Sequence, residues 1–373
     1  MKKKFAAVCG LAAFCTLAQA QSNVTIYGDV DQYIGYIHSS SGESVTGLND
    51  GAILRSRLGF RGVEDLGSGY QAKFTLEQGF GANTGALADA PRIFDRQAWI
   101  GINTPGGEFR IGRQNTIIFF IGGAIDYTER TTFGSIINTF GVPSRYDNDI
   151  SYKSPRIANF QVDLHYAMTE TAGENIGTRG VYQAGVDYTN GSYRAGYAGL
   201  WAKPLANAVY ADAVVYHNLY ADYDYGKGKV YLAYVRSNNV TGNANGNNAT
   251  GILSNVSIPT NAFPGSNPGV LRMYSIYQVS ADYRLSPQLR IGALYGVMKD
   301  TSNSDAGAKG GNVGAYYEMS KRTTFYGFAN YMKNDTNAGF RFSGSAGPTA
   351  NLAGTDINGR RLVGLQAGVL HRF

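Results

Sequence analysis

From Leu54 to Arg61 the sequence reads LRSRLGFR, so Arg55, Arg57 and Arg61 share one parity while Leu54, Ser56, Leu58 and Phe60 take the other. On an extended chain that alternation places the guanidiniums on one side and the apolar groups on the opposite side. Lys73, Arg96 and Arg110 follow in later segments with the same inward parity. Cations gathered on one wall are costly unless they meet water or carboxylates. Along a wet passage they act through their field, sorting ions at close quarters and making no bonds. The plainer reading is a solvated wall charged for solubility. The acids placed to oppose this wall are Asp126 and Glu129, three apart in a long segment from Asn115 to Tyr146. Asp29 and Asp31 take the inward parity of the first strand, where they can pair with arginines or line the passage.

Bond-making chemistry has little to work with. There are four histidines, His38, His165, His217 and His371, and neither G-x-S-x-G nor H-E-x-x-H occurs. By parity His217 and His371 fall on the apolar face and His165 on the polar one. Both cysteines, Cys9 and Cys15, lie in the first twenty residues. A mature chain lacking them has no disulfide framework and no thiolate metal site. The sequence therefore predicts no enzyme, no metal and no cofactor.

The elements that must carry these residues are strands. The last thirteen residues, RLVGLQAGVLHRF, put Val363, Leu365, Ala367, Val369, His371 and Phe373 on one face and Gly364, Gln366, Gly368 and Arg372 on the other. A period of two over about ten residues is long enough to cross a membrane when tilted. An apolar strand at the end of a soluble chain invites aggregation, whereas a closed barrel has no free edge. Phe160–Met168, Val181–Tyr188, Val215–Tyr225, Tyr70–Glu77 and Leu271–Leu285 alternate in the same way. A β-sandwich shares the period but would keep one face dry.

The start of the chain agrees. Lys2, Lys3 and Lys4 precede an apolar run from Phe5 to Leu17 and an Ala18-Gln19-Ala20 cleavage site. This predicts an exported chain with residues 1–20 as signal peptide, cleaved after Ala20, and residues 21–373 as the barrel. Removing the three lysines cuts the excess of 33 Lys and Arg over 27 Asp and Glu from six to three, with no basic run left to argue for nucleic acid. Hydrophobic residues make up 43% and charges only 16%, with 27 Tyr, 18 Phe and 49 Gly, a composition suited to strands and turns.

Short connections at 66–69, 105–107, 155–158, 190–191, 226–228, 286–287 and 320–322 alternate with long ones near 40–50, 80–91, 115–146, 169–179, 201–211, 239–270, 300–310 and 335–360. They join sixteen strands, short turns on the periplasmic side and long loops outside, enough to leave an aqueous channel. The third long segment carries Ile117–Ile121 and Phe133–Phe140, apolar pieces with no reason to face water. Folding into the barrel would bury them and narrow the passage. Lying on the membrane surface or in an oligomer contact is the rival.

The blocks QSNVTIYGDVDQYIGY, SRLGFRGVEDLGSGYQAKFTLEQGF, FDRQAWIGINTPGGEFRIGRQ, RYDNDISYKSP and the terminal HRF resemble the Gram-negative general porins of the β-proteobacterial branch across the whole mature chain. The resemblance implies an all-β, sixteen-stranded antiparallel transmembrane barrel in the outer membrane, assembled as a homotrimer. It implies a third loop folded into the pore, placing Asp126 and Glu129 opposite Arg55, Arg57 and Arg96, with Arg110 and Lys73 as lesser members of the cluster. It also suggests Gln97, Trp99, Phe109, Ile111 and Arg113 as trimer contacts. The function implied is passive diffusion of ions and small hydrophilic solutes, and the excess of inward cations over matching acids in the parity reading predicts a mild anion preference. A channel specific for one anion or sugar is the alternative. Outer-membrane lipid and lipopolysaccharide are the surrounding partners expected.

Overall fold

The computed structural model describes residues 23–122, 124–129, 131, 133–168, 180–203, 213–238, 273–342 and 350–373. The leader with its cleavage site, and most of the connections expected near 169–179, 201–211 and 239–270, lie outside the described residues. In chain order the strands are β1 (Asn23–Ser39), β2 (Ser44–Asp50), β3 (Arg57–Gly67), β4 (Tyr70–Gly79), β5 (Gln97–Thr104), β6 (Gly107–Asn115), β7 (Arg145–Lys153), β8 (Phe160–Met168) and β9 (Gly180–Asn190). They continue with β10 (Tyr193–Ala202), β11 (Val214–Asp224), β12 (Lys229–Ser237), β13 (Tyr274–Arg284), β14 (Leu289–Asp300), β15 (Ala308–Glu318), β16 (Thr323–Asn334) and β17 (Arg361–Arg372). Two short helices, α1 (Ile117–Ile121) and α2 (Ile136–Phe140), lie between β6 and β7.

From β3 onward each strand pairs antiparallel with the next, and β17 returns to pair with β1 along Asp29–Ser39. The ring closes at its last residue: Phe373 N donates to the Gly28 carbonyl at 3.0 Å and Gly28 N donates to the Phe373 carbonyl at 3.2 Å. β2 and β3 are halves of one stave, since β1 pairs with β2 through Gln32–His38 and with β3 through Asn23–Asp29. The barrel therefore has sixteen staves. The alternation falls as the sequence predicts: Val363, Leu365 and Val369 of β17 are exposed on the outer face, while Leu362 and Leu370 are fully buried inside.

The second stave differs from expectation. Ala52–Gly62 reads as one continuous strand, but residues 51–56 leave the ladder and fold inward. Leu54 and Ser56 are consequently not on the lipid face. Ser56 is fully buried, and Leu54 packs against an inner cluster containing Ile53, Tyr33 and Tyr127. The cause is Asp31. Its carboxylate Oδ2 accepts from Ile53 N at 2.7 Å and from Leu54 N at 2.8 Å, and its own N–H donates to Ser56 Oγ at 2.9 Å. A side chain that takes these N–H groups gives the backbone an alternative to the ladder. Gly51, at φ +70°, supplies the bend.

The long β6–β7 segment enters the barrel. Thr116 Oγ1 accepts from Phe119 N at 3.0 Å to cap α1, and Ser135 Oγ accepts from Asn138 N at 3.2 Å to cap α2. Ile118, Phe133, Ile137 and Phe140 are no more than 1% exposed. Burying each contributes about 1.5–3 kcal/mol, which holds the loop inside and leaves Phe120 of α1 as its exposed apolar side chain. The wall makes room with glycines. A Cβ on Gly185 would lie 2.8 Å from Ile117, one on Gly296 2.9 Å from Ile136, and one on Gly292 would overlap the Tyr127 ring.

Candidate functional site at the pore constriction

Wall and loop meet over β1 and β3–β7. At the start of β3, Arg57 places Nε 3.0 Å from Asp29 Oδ2 on β1, and its NH1 lies 3.9 Å from Glu77 on β4. Arg96, just ahead of β5, donates Nε to Glu77 Oε1 at 2.7 Å with both side chains only 3% exposed. Tyr27 Oη donates to Glu77 at 2.9 Å. Glu77 thus sits between two guanidiniums as the buried counter-charge that lets them stand together.

Arg113 on β6 donates to Asp147 Oδ1 at 2.6 Å and to the Asp95 carbonyl at 2.5 Å. Arg92 binds Asp147 through both terminal nitrogens, at 3.0 and 2.9 Å. Arg145 opens β7, is 6% exposed, and lays its guanidinium 4.8 Å from the Phe119 ring of α1. Among the described residues it has no ion-pair partner.

The wall cations of the sequence reading divide into groups. Arg57 and Arg96 share Glu77. Lys73 and Arg110 instead share Glu108, with Lys73 Nζ at 3.3 Å and Arg110 bonded to the other carboxylate oxygen, its guanidinium 4.2 Å from the Trp99 ring. Arg61 is exposed, 5.2 Å from the Tyr27 ring. Arg55 rides on the inward-folded 51–56 segment and its carbonyl accepts from Arg57 Nε at 3.1 Å. Asp29 meets Arg57, while Asp31 is fully buried and spent on the 51–56 segment and on Tyr326 Oη.

The loop acids do not touch these cations. Asp126 is fully buried, accepting from Thr128 N at 2.9 Å, from Thr128 Oγ1 at 2.5 Å and from Gln278 Nε2 at 2.8 Å. Burial raises its pKa, and the bonds from Thr128 and Gln278 oppose the shift. Glu129 pairs with Arg290 on β14, whose guanidinium lies 4.2 Å from the Tyr316 ring. The loop is therefore pinned to β13 and β14, across the barrel from Arg57 and Arg96.

Sequence reasoning missed Glu77, Glu108, Arg145 and Asp147, and gave Arg113 to the trimer contact and not to the wall. Glu77 shares the parity of Lys73 four residues before it on β4, so alternation alone could have found it. Arg113 was hidden by a register shift between Gly112 and Gln114, which breaks the parity on which the reading depends.

Residues 6–337 match the family model described as Gram-negative porin. The chain belongs to that family. Porins are channels of the bacterial outer membrane, not enzymes. The chain is 29% identical over 374 residues to an outer-membrane porin protein of Bordetella pertussis, covering 90% of this chain and 95% of that one. It is 27% identical to outer membrane porin protein 32 of Delftia acidovorans over the full length of both. Among solved structures, the anion-selective porin from Comamonas acidovorans superimposes with a TM-score of 0.75 at 23% identity, covering 95% of this chain and 100% of that one. The proposed trimer contacts of this porin divide by face. Trp99 pairs with Gly112 and so points inward, opposite to Phe109 and Ile111, which are 47% and 56% exposed on the outer side. Gln97 accepts from Trp99 Nε1 at 3.1 Å and shares its inward face, and Arg113 belongs to the arginine cluster.

Proposed function

We propose that this porin is a general diffusion channel for ions and small hydrophilic solutes, mildly anion-selective, exported with its first twenty residues removed and working as a homotrimer. The observation that carries the anion preference is the depth ordering of the wall charges. Arg57 is 14% exposed while its partners Asp29 and Glu77 are 9% and 3%, and Lys73 and Arg110 at 24% and 22% stand over Glu108 at 14%. A solute in the lumen meets the cations first, and the carboxylates screen them from behind. Arg145, with no carboxylate of its own among the described residues, adds to the same sign. On the far side Glu129 is half exposed beside Arg290, so a transverse field runs from the arginine wall to the loop and orients polar solutes in transit. Asp126 supports the loop from beneath and Asp31 supports the wall, while Arg55 and Arg61 extend the basic surface along the passage. The name of the Comamonas acidovorans structure agrees with this reading.

The test is planar-bilayer recording of the purified mature protein under a KCl gradient. Conductance in groups of three equal steps with a reversal potential on the anion side is expected. Arg57→Gln combined with Arg145→Gln lowers the anion-to-cation permeability ratio. A reversal potential on the cation side, or a ratio untouched by the double substitution, overturns the proposal.

A further inference from the structure

Within α1, Ile117, Ile118 and Ile121 are buried, but Phe120 is 49% exposed. An aromatic ring left wet inside a polar passage is a surface waiting for an apolar group. Between α1 and the short-turn end of β7–β10 lies a luminal cavity of about 200 Å³. Ile117, Phe120 and Ile121 supply its apolar lining, and Lys153, Arg156 and Arg194 supply its cations. The cations come from the last residue of β7, the turn after it and the second residue of β10, so only the closed wall brings them together.

The acids of the cavity are already committed. Asp187 accepts from a terminal nitrogen of Arg156 at 2.5 Å, from Arg194 Nε at 2.6 Å and from Tyr220 Oη at 2.8 Å. Asp163 Oδ1 lies 3.2 Å from His165 Nε2. Lys153 stands in register between Glu108 and Asp163, yet among the described residues it pairs with neither. Glu108 is held by Lys73 and Arg110, and Lys153 Nζ lies 5.9 Å from the Phe120 ring instead. Arg194 spends only Nε on Asp187, and its two terminal nitrogens have no partner among the described residues. An exposed ring and uncommitted cations therefore line one small space.

We propose that this cavity is a transient binding site for small aromatic carboxylates, with the ring against Phe120 and the carboxylate on Lys153 and the arginines. Ring-to-ring contact and charge-assisted bonds to a carboxylate are the two interactions its lining offers. Chloride or an aliphatic acid uses the cations and leaves Phe120 wet. A sugar uses the ring, but the carboxylates that would accept from its hydroxyls are taken by Arg156, Arg194 and His165. The cavity has room for one ring and its acid group, not for a larger solute. A site on the short-turn side of the loop holds such a solute after it has passed the narrow part, and a weak hold there still permits release. The inference rests on the reading of the barrel as an open diffusion channel, whose solutes it narrows to a class.

Two measurements on the mature protein decide it, with 4-fluorobenzoate, acetate and 4-fluorobenzyl alcohol as probes. In bilayers, 4-fluorobenzoate should interrupt the chloride current at a concentration about tenfold below that of acetate. Phe120→Ala should raise the half-blocking concentration of 4-fluorobenzoate about fivefold and leave that of acetate where it was, Phe120→Tyr should restore the wild-type value, and Lys153→Gln should raise both. In detergent, the fluorine resonance of 4-fluorobenzoate should broaden on adding protein more than that of the alcohol, and Phe120→Ala should remove the difference. Equal block by 4-fluorobenzoate and acetate overturns the proposal, as does a wild-type response from Phe120→Ala. A barrel that conducts chloride but shows neither block nor broadening strikes this site and leaves the diffusion channel. Broadening that depends on Phe120 in a barrel that does not conduct strikes the channel reading and leaves the site.

Discussion

Gln278 holds both limbs of the inserted loop, so its replacement by leucine should loosen the loop and leave the barrel intact. Its side chain is 4% exposed on β13. Nε2 donates to Asp126 Oδ2 at 2.8 Å, and Oε1 accepts from Ser135 Oγ at 2.9 Å and from Ile137 N at 3.2 Å. One of these bonds goes to a carboxylate and two join neutral groups, which together favour the docked loop by about 4 kcal/mol. Water in the lumen can replace part of that, and protonation of Asp126 relieves more, so a net loss of about 2 kcal/mol is a fair lower figure. At 1.4 kcal/mol per tenfold change, the ratio of undocked to docked loop rises about thirtyfold. Gln278→Leu should therefore show open-channel noise and brief conductance excursions about thirtyfold more frequent than wild type, with heat stability nearly unchanged because no ladder bond is lost. Gln278→Glu keeps an acceptor for Ser135 but turns a carboxylate on Asp126, and should disturb the loop at least as much at neutral pH. A folded Gln278→Leu barrel with wild-type conductance and noise would refute the claim that this one amide pins the loop.

Two further outcomes follow from the same contacts. Gly292→Leu puts a side chain where the Tyr127 ring lies, breaking the Tyr127 Oη bond to Asn312, and should push the loop into the lumen; a single-channel conductance no lower than wild type would count against it. Asp126 has its pKa raised in the docked loop, so the docked state binds its proton more tightly than the free one; that stabilisation is full below the ordinary carboxylate range near 4 and is lost as pH rises through the raised value. Conductance excursions should therefore be rarer near pH 4 than near pH 7 in wild type, and Asp126→Asn should flatten that dependence.

How far the sequence could be read depended on whether parity survived. Where the ladder is regular, as in β8, β13 and β17, alternation put the correct side chains on each face. Where a side chain captures the backbone, parity fails. Asp31 draws Ile53 and Leu54 off the second stave, and that event moves Leu54 and Ser56 from lipid to interior. The shift between Gly112 and Gln114 likewise hides Arg113. Glu77 and Glu108 went unnoticed for another reason. Parity puts both on the inner face, but their role as the shared counter-charge is invisible in one dimension, because Arg57 and Lys73 reach them from other strands.

The loop shows why its charge could be seen in the sequence but its docking could not. Asp126 and Glu129 stand out as acids, yet what fixes their place is absent side chains on distant strands. Gly185, Gly292 and Gly296 are inward positions where Ile117, Tyr127 and Ile136 fit only because no Cβ is there. Gly292 and Gly296 are four apart on β14, one face of one strand, so they form a socket whose spacing matches a loop that crosses it. The wall's sockets therefore decide where the loop lies and how wide the passage is. The cations on β3–β7 are separate from those sockets and decide its sign. Substitutions in the sockets should change conductance with little effect on the ion ratio, and substitutions among the wall arginines should do the reverse. That separation follows from the geometry because no residue lining a socket bonds to Arg57, Arg96 or Glu77.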